Sequence, residues 1–263
     1  MIIDFHTHMF PDKIAARTID FLSKTGGDMN PFTDGTWKGL KESTKQAGID
    51  HSIVLPIATR PGQFHTINEF ATHFQEGTLI SFGSLHPESE NYKEELRQIR
   101  DMGMKGIKLH PDYQDTYFND IRYKRIISYA TELGLIISVH AGQDPKCPDN
   151  IHCTPAMAEE VLNEVEPEKL VLAHMGGNEL WSEVEERLVG RNVYFDTGVI
   201  LDRMPQEQFL RMVRGHGADR IVFGTDSPWA DQKKFVEILK EMPLEEEERN
   251  QIFAGTAVKL LGL

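Results

Sequence analysis

The chain has 263 residues, with 28 Lys and Arg against 41 Asp and Glu, a net charge of -13. That balance argues against a nucleic-acid partner, because neutralising phosphates needs a cationic face. A small anionic substrate, which needs only one or two local cations, stays open. Apolar residues make up 40% of the chain and no run approaches the roughly 18 residues of a membrane span, so no membrane partner is expected. The start, Met1-Ile2-Ile3, reads as a strand and carries no basic n-region or cleavage site; the expected compartment is the cytoplasm. Cys147 and Cys153 are read as two free thiols.

The first element is Ile2-Ile3-Asp4-Phe5-His6, running into Thr7-His8. Residues two apart on a strand point to the same side, so His6 and His8 aim two imidazoles at one point, as a bound metal requires. Seven further apolar, β-branched runs follow, over 52–56, 79–83, 106–110, 135–140, 170–174, 193–196 and 221–226. Nearly continuous apolar runs suit parallel strands buried on both faces. Helical spacing of apolar residues predicts helices over 11–22, 35–47, 63–74, 92–102, 123–131, 155–165, 180–188 and 206–213. Thr154-Pro155 is a good helix start, a cap followed by proline in the first turn. Residues 231–263 close the chain with two helices, and the glutamates at 245–248 read as a solvated helix start.

Eight strands alternating with helices predict a single-domain α/β protein over 1–263, a (β/α)8 TIM barrel with its active site at the carboxyl ends of the strands. An open doubly wound sheet is the alternative; it does not need eight units, and no glycine-rich phosphate loop follows the first strand. The loops over 25–36 and 142–154 are long, and long loops after barrel strands usually cover the active-site mouth.

Polar residues fall at the carboxyl end of strand after strand: His6 and His8, then Lys108 and His110, His140, His174 and Asp226. A single strand-end histidine is ordinarily structural. Five strands each delivering ionisable groups are hard to explain by packing, since buried charges are costly unless paired or metal-bound. Histidine with carboxylate is a good ligand set for Zn, Mn or Fe. Arg60 is a candidate for a substrate carboxylate, because arginine pairs carboxylates in a fork, and a solvated loop arginine is the simpler reading. Tyr113 and Trp229 follow strand ends and read either as pocket walls or as loop packing.

Taken together, Asp4-Phe5-His6-Thr7-His8, Gly106-Ile107-Lys108-Leu109-His110-Pro111, Val139-His140-Ala141-Gly142, Ala173-His174-Met175-Gly176-Gly177 and Phe223-Gly224-Thr225-Asp226-Ser227-Pro228-Trp229 resemble the amidohydrolase superfamily over the whole chain. The resemblance is to the amidohydrolase-related branch, which also contains aminocarboxymuconate-semialdehyde and resorcylate decarboxylases. It implies His6, His8, His140 and Asp226 as ligands of a divalent metal, most simply Zn, in one or two ions. It implies His174 as a second-metal ligand or catalytic acid/base. Lys108 corresponds to a fourth-strand lysine that is carboxylated in binuclear members, while His110 lies nearer the strand end. The leading expectation is a hydrolase that opens an ester, lactone or amide of a small carboxylate-bearing molecule with a metal-activated water. Asp226 then acts as base, with His174, His110 or Lys108 stabilising charge. The alternative is a metal-dependent non-oxidative decarboxylase, although decarboxylases of the branch generally lack the Lys108-Leu109-His110 pattern. Exposed barrel helices would also suit a homodimer.

Overall fold

The computed structural model describes residues 1–27 and 29–263; residue 28, within the expected loop over 25–36, lies outside the described residues. The elements in chain order begin with β1 (Ile3–Thr7), α1 (Asp12–Thr25), α2 (Trp37–Gln46), β2 (His51–Val54), α3 (Phe64–Ala71), β3 (Leu79–Ser81) and β4 (Gly83–Ser84). Then come α4 (Tyr92–Asp101), β5 (Gly106–Leu109), α5 (Ile121–Glu132), β6 (Ile136–Val139), α6 (Pro155–Val165), β7 (Leu170–Leu172), α7 (Trp181–Arg187) and β8 (Tyr194–Asp196). The chain closes with α8 (Gln206–His216), β9 (Ile221–Val222), α9 (Gln232–Glu241), α10 (Glu246–Asn250) and α11 (Thr256–Leu261), the last two joined by a π-helical turn over Gln251–Gly255.

The helices start where short polar side chains can take up the unpaired amides of a first turn. Thr36 accepts from the Gly39 amide at the start of α2, Asp120 from the Arg122 amide at α5, and Thr154 from the Met157 amide at α6, with Pro155 in its first turn. Gly48, Gly103 and Gly134 follow α2, α4 and α5 in the left-handed conformation, which lets the chain leave each helix and enter the next strand.

Two compact units form, each from discontinuous segments: Met1–Val54, Glu76–Ile80 and Asp196–Leu263 in the first, Leu55–Gln75 and Ser81–Phe195 in the second. In the first, β1 runs parallel to β2, with Ile3 opposite His51 and Thr7 opposite Val54. On its other edge β1 bonds to the chain after β9: the Phe5 amide donates to the Phe223 carbonyl at 2.7 Å, and Thr7 bridges Ser227 in parallel. In the second unit β4, β5, β6, β7 and β8 lie side by side and parallel. Every residue of β5 and β6 is buried, which is why their sequences carry no polar alternation.

Two expected strands differ in detail. The run over 79–83 breaks at Phe82 into β3 and β4. The Ser81 hydroxyl turns back to the Phe82 carbonyl, and a Cβ on Gly83 would sit 2.8 Å from Asn68 Oδ1 and 2.9 Å from Ile99 Cγ2, so close packing takes precedence over a continuous ladder. The last run stops as a strand at Val222, because the Phe223 amide bonds to the Ile252 carbonyl and the backbone then turns left-handed at Asp226. Among the described residues no helix is long and apolar enough to cross a membrane.

Candidate functional site

In the first unit, β1 delivers His6 and the residue beyond its end, His8, as the period-two argument expects. His6 Nε2 lies 3.2 Å from His8 Nε2 and 3.4 Å from Asp226 Oδ1, and His8 Nε2 lies 3.0 Å from the same oxygen. Asp226 is brought there by its backbone. It has a φ of 65°, a left-handed turn that aspartate tolerates better than most residues, and its amide donates to the His6 carbonyl at 2.7 Å. Beneath it, Asp4 ties β1 to this turn. Its carboxylate accepts from the Thr225 amide and hydroxyl, from Gln232 Nε2 and from the His6 amide. Full burial pushes the Asp4 carboxyl up from 3.8 to about 7, against the pull of those four donors.

The donor chemistry here fits a divalent cation. Buried Asp196 Oδ2 is 2.8 Å from His6 Nδ1 and can only accept when ionised, so the ring proton sits on Nδ1 and the lone pair on Nε2. That lone pair faces a second imidazole nitrogen and a carboxylate oxygen. Ligands about 2.1 Å from a metal stand about 3.0 Å apart at octahedral and about 3.4 Å apart at tetrahedral edges. The three separations here, 3.0, 3.2 and 3.4 Å, span that range. His6 is 1% exposed, while the His8 and Asp226 side chains are 12% and 13% exposed, so the cluster is reached from the His8 and Asp226 side.

In the second unit, His110 ends β5 and His140 ends β6. Their rings stack with centroids 4.1 Å apart and planes 6° from parallel, and Tyr113 stacks on the other face of His110 at 3.9 Å. Lys146 Nζ caps the Tyr113 ring at 4.9 Å. His174, at the end of β7 with a φ of 59°, places Nε2 3.0 Å from His140 Nδ1, and its carbonyl accepts from Trp181 Nε1. Asp144 Oδ2 lies 3.7 Å from His110 Nε2 and 3.8 Å from His140 Nε2. Asp112 Oδ1 accepts from the His152 amide and Nδ1, while its Oδ2, 3.8 Å from His140 Nε2, has no hydrogen-bond partner. Burial pushes the Asp112 carboxyl up. The His110 amide is anchored by Gln114 Oε1, itself held by Tyr123.

Other residues singled out by the sequence are placed as follows. Lys108 is fully buried within β5, in register with Ser84 and Ser138. Arg60 is exposed at the start of a short 3-10 turn over Pro61–Gln63. Trp229 is half-buried, its amide bonded to the Asp226 carbonyl. Cys147 and Cys153 are free thiols. Asp196, Asp144, Asp112 and His152 were not among the expected site residues. Asp196 ends a predicted strand, so the strand-end rule that selected Asp226 would have found it; Asp144 and His152 lie in an aperiodic loop without such a signal.

The family model described as Amidohydrolase matches residues 3–263. Among solved structures, an uncharacterised TIM-barrel protein from Bordetella bronchiseptica is 18% identical, with a TM-score of 0.76 over 99% of this chain and 98% of that one. A 2,6-dihydroxybenzoate decarboxylase in complex with 2,6-dihydroxybenzoate is 16% identical, with a TM-score of 0.76 over 100% and 99%. Dihydroxybenzoic acid decarboxylase from Polaromonas sp. JS666, with bound manganese and the inhibitor 2-nitroresorcinol, is 14% identical, with a TM-score of 0.73 over 100% and 97%. No curated protein matches the sequence. At these identities the likeness establishes the fold, and that fold is the (β/α)8 barrel expected from eight strand–helix repeats.

Proposed function

The chain belongs to the amidohydrolase family, and from that premise we propose a metal-dependent, non-oxidative decarboxylase of a small hydroxylated aromatic acid. The observation that carries the metal dependence is the meeting of His6 Nε2, His8 Nε2 and Asp226 Oδ1 within 3.4 Å of one another. The reaction type is supported by the activities of two structural neighbours, and one of them holds manganese. Zinc and manganese both suit two imidazoles and a carboxylate.

A divalent ion held by His6, His8 and Asp226 would draw electron density from a substrate carboxylate and a neighbouring oxygen. Asp196 keeps the His6 lone pair turned to the centre by holding the Nδ1 proton. In the reaction the bond from ring carbon to carboxylate breaks, its electron pair stays on carbon, and carbon dioxide leaves. Carbon then takes a proton, which Asp226, on the accessible side of the cluster, is placed to supply; the resemblance offers His174 as an alternative donor. The resemblance also adds His140 to the ligands. Metal content of His140→Ala tests that addition.

A second reading, hydrolysis of an ester, lactone or amide, is favoured by the Lys108 and His110 pair at β5. Incubation with 2,6-dihydroxybenzoate and with aromatic lactones separates the two. Stoichiometric carbon dioxide release is the expected result; ring opening without it would give the reaction to the hydrolase.

A further inference from the structure

We infer that His86, just beyond β4 in the second unit, is a specificity-determining residue that offers a ring N–H to a hydroxyl oxygen of the substrate. The inference deepens the proposed function, and it rests on that reading for the class of ligand, a hydroxylated aromatic acid.

Placement comes first. The strands β4, β5 and β6 are parallel, with Ser84 opposite Lys108 and Lys108 opposite Ser138. Two residues on from these stand His86, His110 and His140, a histidine beyond the carboxyl end of each adjacent strand. In a parallel barrel those ends form the face on which active sites are built. Buried Gln114 holds the chain together past the strands. Its Nε2 donates to the Leu85 carbonyl at 2.8 Å, and its Oε1 accepts from the His110 amide at 3.0 Å. Its other N–H goes to the Ala58 carbonyl, and the Tyr123 hydroxyl donates to its oxygen. Both donors and both acceptor positions of the Gln114 side chain are thus filled, which makes it the frame of this rim rather than a ligand group.

The His86 ring is set in one tautomer. It is 5% exposed, and its Nδ1 accepts the Glu88 amide at 3.2 Å. An amide proton arriving at Nδ1 leaves the neutral ring's own proton on Nε2. Burial first, and then the Arg122 charge, push the imidazole down against the pull of Glu88, so the ring is neutral at pH 7. Nε2 is the tip of the ring, and among the described residues it has no hydrogen-bond acceptor. Glu88, the nearest acid along the chain, is drawn to Arg122 instead, with Oε1 3.5 Å from Nη1. A buried donor is costly to leave unpaired, so a ligand whose oxygen reaches it binds more tightly than one that has none to offer. A neutral N–H suits a hydroxyl oxygen, because it supplies direction without charge.

His86 uses Nδ1 for its own turn and Nε2 for the ligand, and two substitutions divide those atoms. Asparagine can accept the Glu88 amide, as in an Asx-turn, but does not reach as far as Nε2. Glutamine carries an N–H about as far out as Nε2 and closes the turn less well. The test is calorimetric titration of the metal-loaded enzyme with 2,6-dihydroxybenzoate and with benzoate, which lacks both hydroxyls. Wild type should prefer 2,6-dihydroxybenzoate by at least about tenfold. His86→Asn should lose about tenfold of that preference while binding benzoate within about twofold of wild type, and His86→Gln should keep it to within about threefold. Equal affinity of wild type for the two acids, or binding of neither, overturns the inference. So does a preference retained by His86→Asn, or one lost equally by His86→Asn and His86→Gln, which would leave His86 a part of its turn alone. If the proposed decarboxylation fails instead, no carbon dioxide is released from 2,6-dihydroxybenzoate while the loss of preference in His86→Asn remains.

Discussion

Each unit sets a pair of histidines against a carboxylate, and the two pairs differ in spacing and in what stands behind the ring. In the first, Asp196 takes the Nδ1 proton of His6, so the outer nitrogen is a lone pair turned towards His8 Nε2 and Asp226 Oδ1. In the second, the Tyr113 amide donates to the His110 carbonyl at 3.1 Å and lies 3.4 Å from His110 Nδ1, while His110 Nε2 stands 3.7 Å from Asp144 Oδ2, a looser set than the first. Both rings sit at or just past the end of a parallel strand. The group behind the ring differs, a carboxylate for His6 and a backbone amide for His110, and a carboxylate there fixes the tautomer of a metal-binding imidazole.

The sharpest break of that comparison is metal content. His6→Ala or His8→Ala should drop bound metal from stoichiometric to near zero and turnover with it, whereas His110→Ala should stay loaded. Elemental analysis of the purified variants reads this directly; metal lost equally from all three would erase the distinction. A smaller effect is expected behind the ring. Asp196→Ala frees His6 to place its proton on either nitrogen and should weaken metal binding about 10- to 100-fold in a chelator competition. Asp196→Asn keeps an acceptor facing Nδ1 and should recover part of that loss. Equal affinity in wild type and Asp196→Ala would mean that the orientation of His6 comes from packing alone.

Sequence reasoning reached one half of this contrast. The spacing of His6 and His8 is a consequence of strand geometry, and Asp226 follows from the ending of the last apolar run, so these three were legible. The barrel was legible too, because buried parallel strands leave long apolar runs at regular intervals. The tautomer of His6 was not. It depends on Asp196, 190 residues away in the chain. Asp144 was invisible for a different reason: it lies in an aperiodic loop, and its burial comes from the imidazoles it meets rather than from any pattern around it. The break of the third strand at Phe82 likewise depends on how closely Gly83 approaches Asn68 and Ile99.

Two carboxyl groups extend the comparison to stability, with opposite signs. Asp4, in the first unit, is buried, and its carboxyl is raised from 3.8 to about 7 by desolvation. The folded chain therefore holds this proton where the unfolded chain has lost it, and the Asp4 contribution to stability falls as pH rises through that window, by on the order of 4 kcal/mol. Below the window Asp4 is neutral, and Asp4→Asn, which turns an amide NH2 towards the Thr225 and Gln232 donors, should cost about 1 to 3 kcal/mol there. The gap should narrow towards pH 8, where wild type carries a buried charge that the variant lacks. Asp120, in the second unit, is partly exposed at the start of α5, where Arg122 holds it from Nε and Nη2 at 2.9 Å; its carboxyl is lowered to about 2, by that pairing first. Its contribution is complete above the ordinary carboxylate value and is lost as pH falls towards about 2, and solvent screening keeps it below about 1 kcal/mol. Urea midpoints of the metal-free chain against pH should show Asp4→Asn flattening the limb above about pH 4 and Asp120→Asn flattening only the limb below it. A wild-type profile level across both windows would mean that neither carboxyl feels the surroundings described for it.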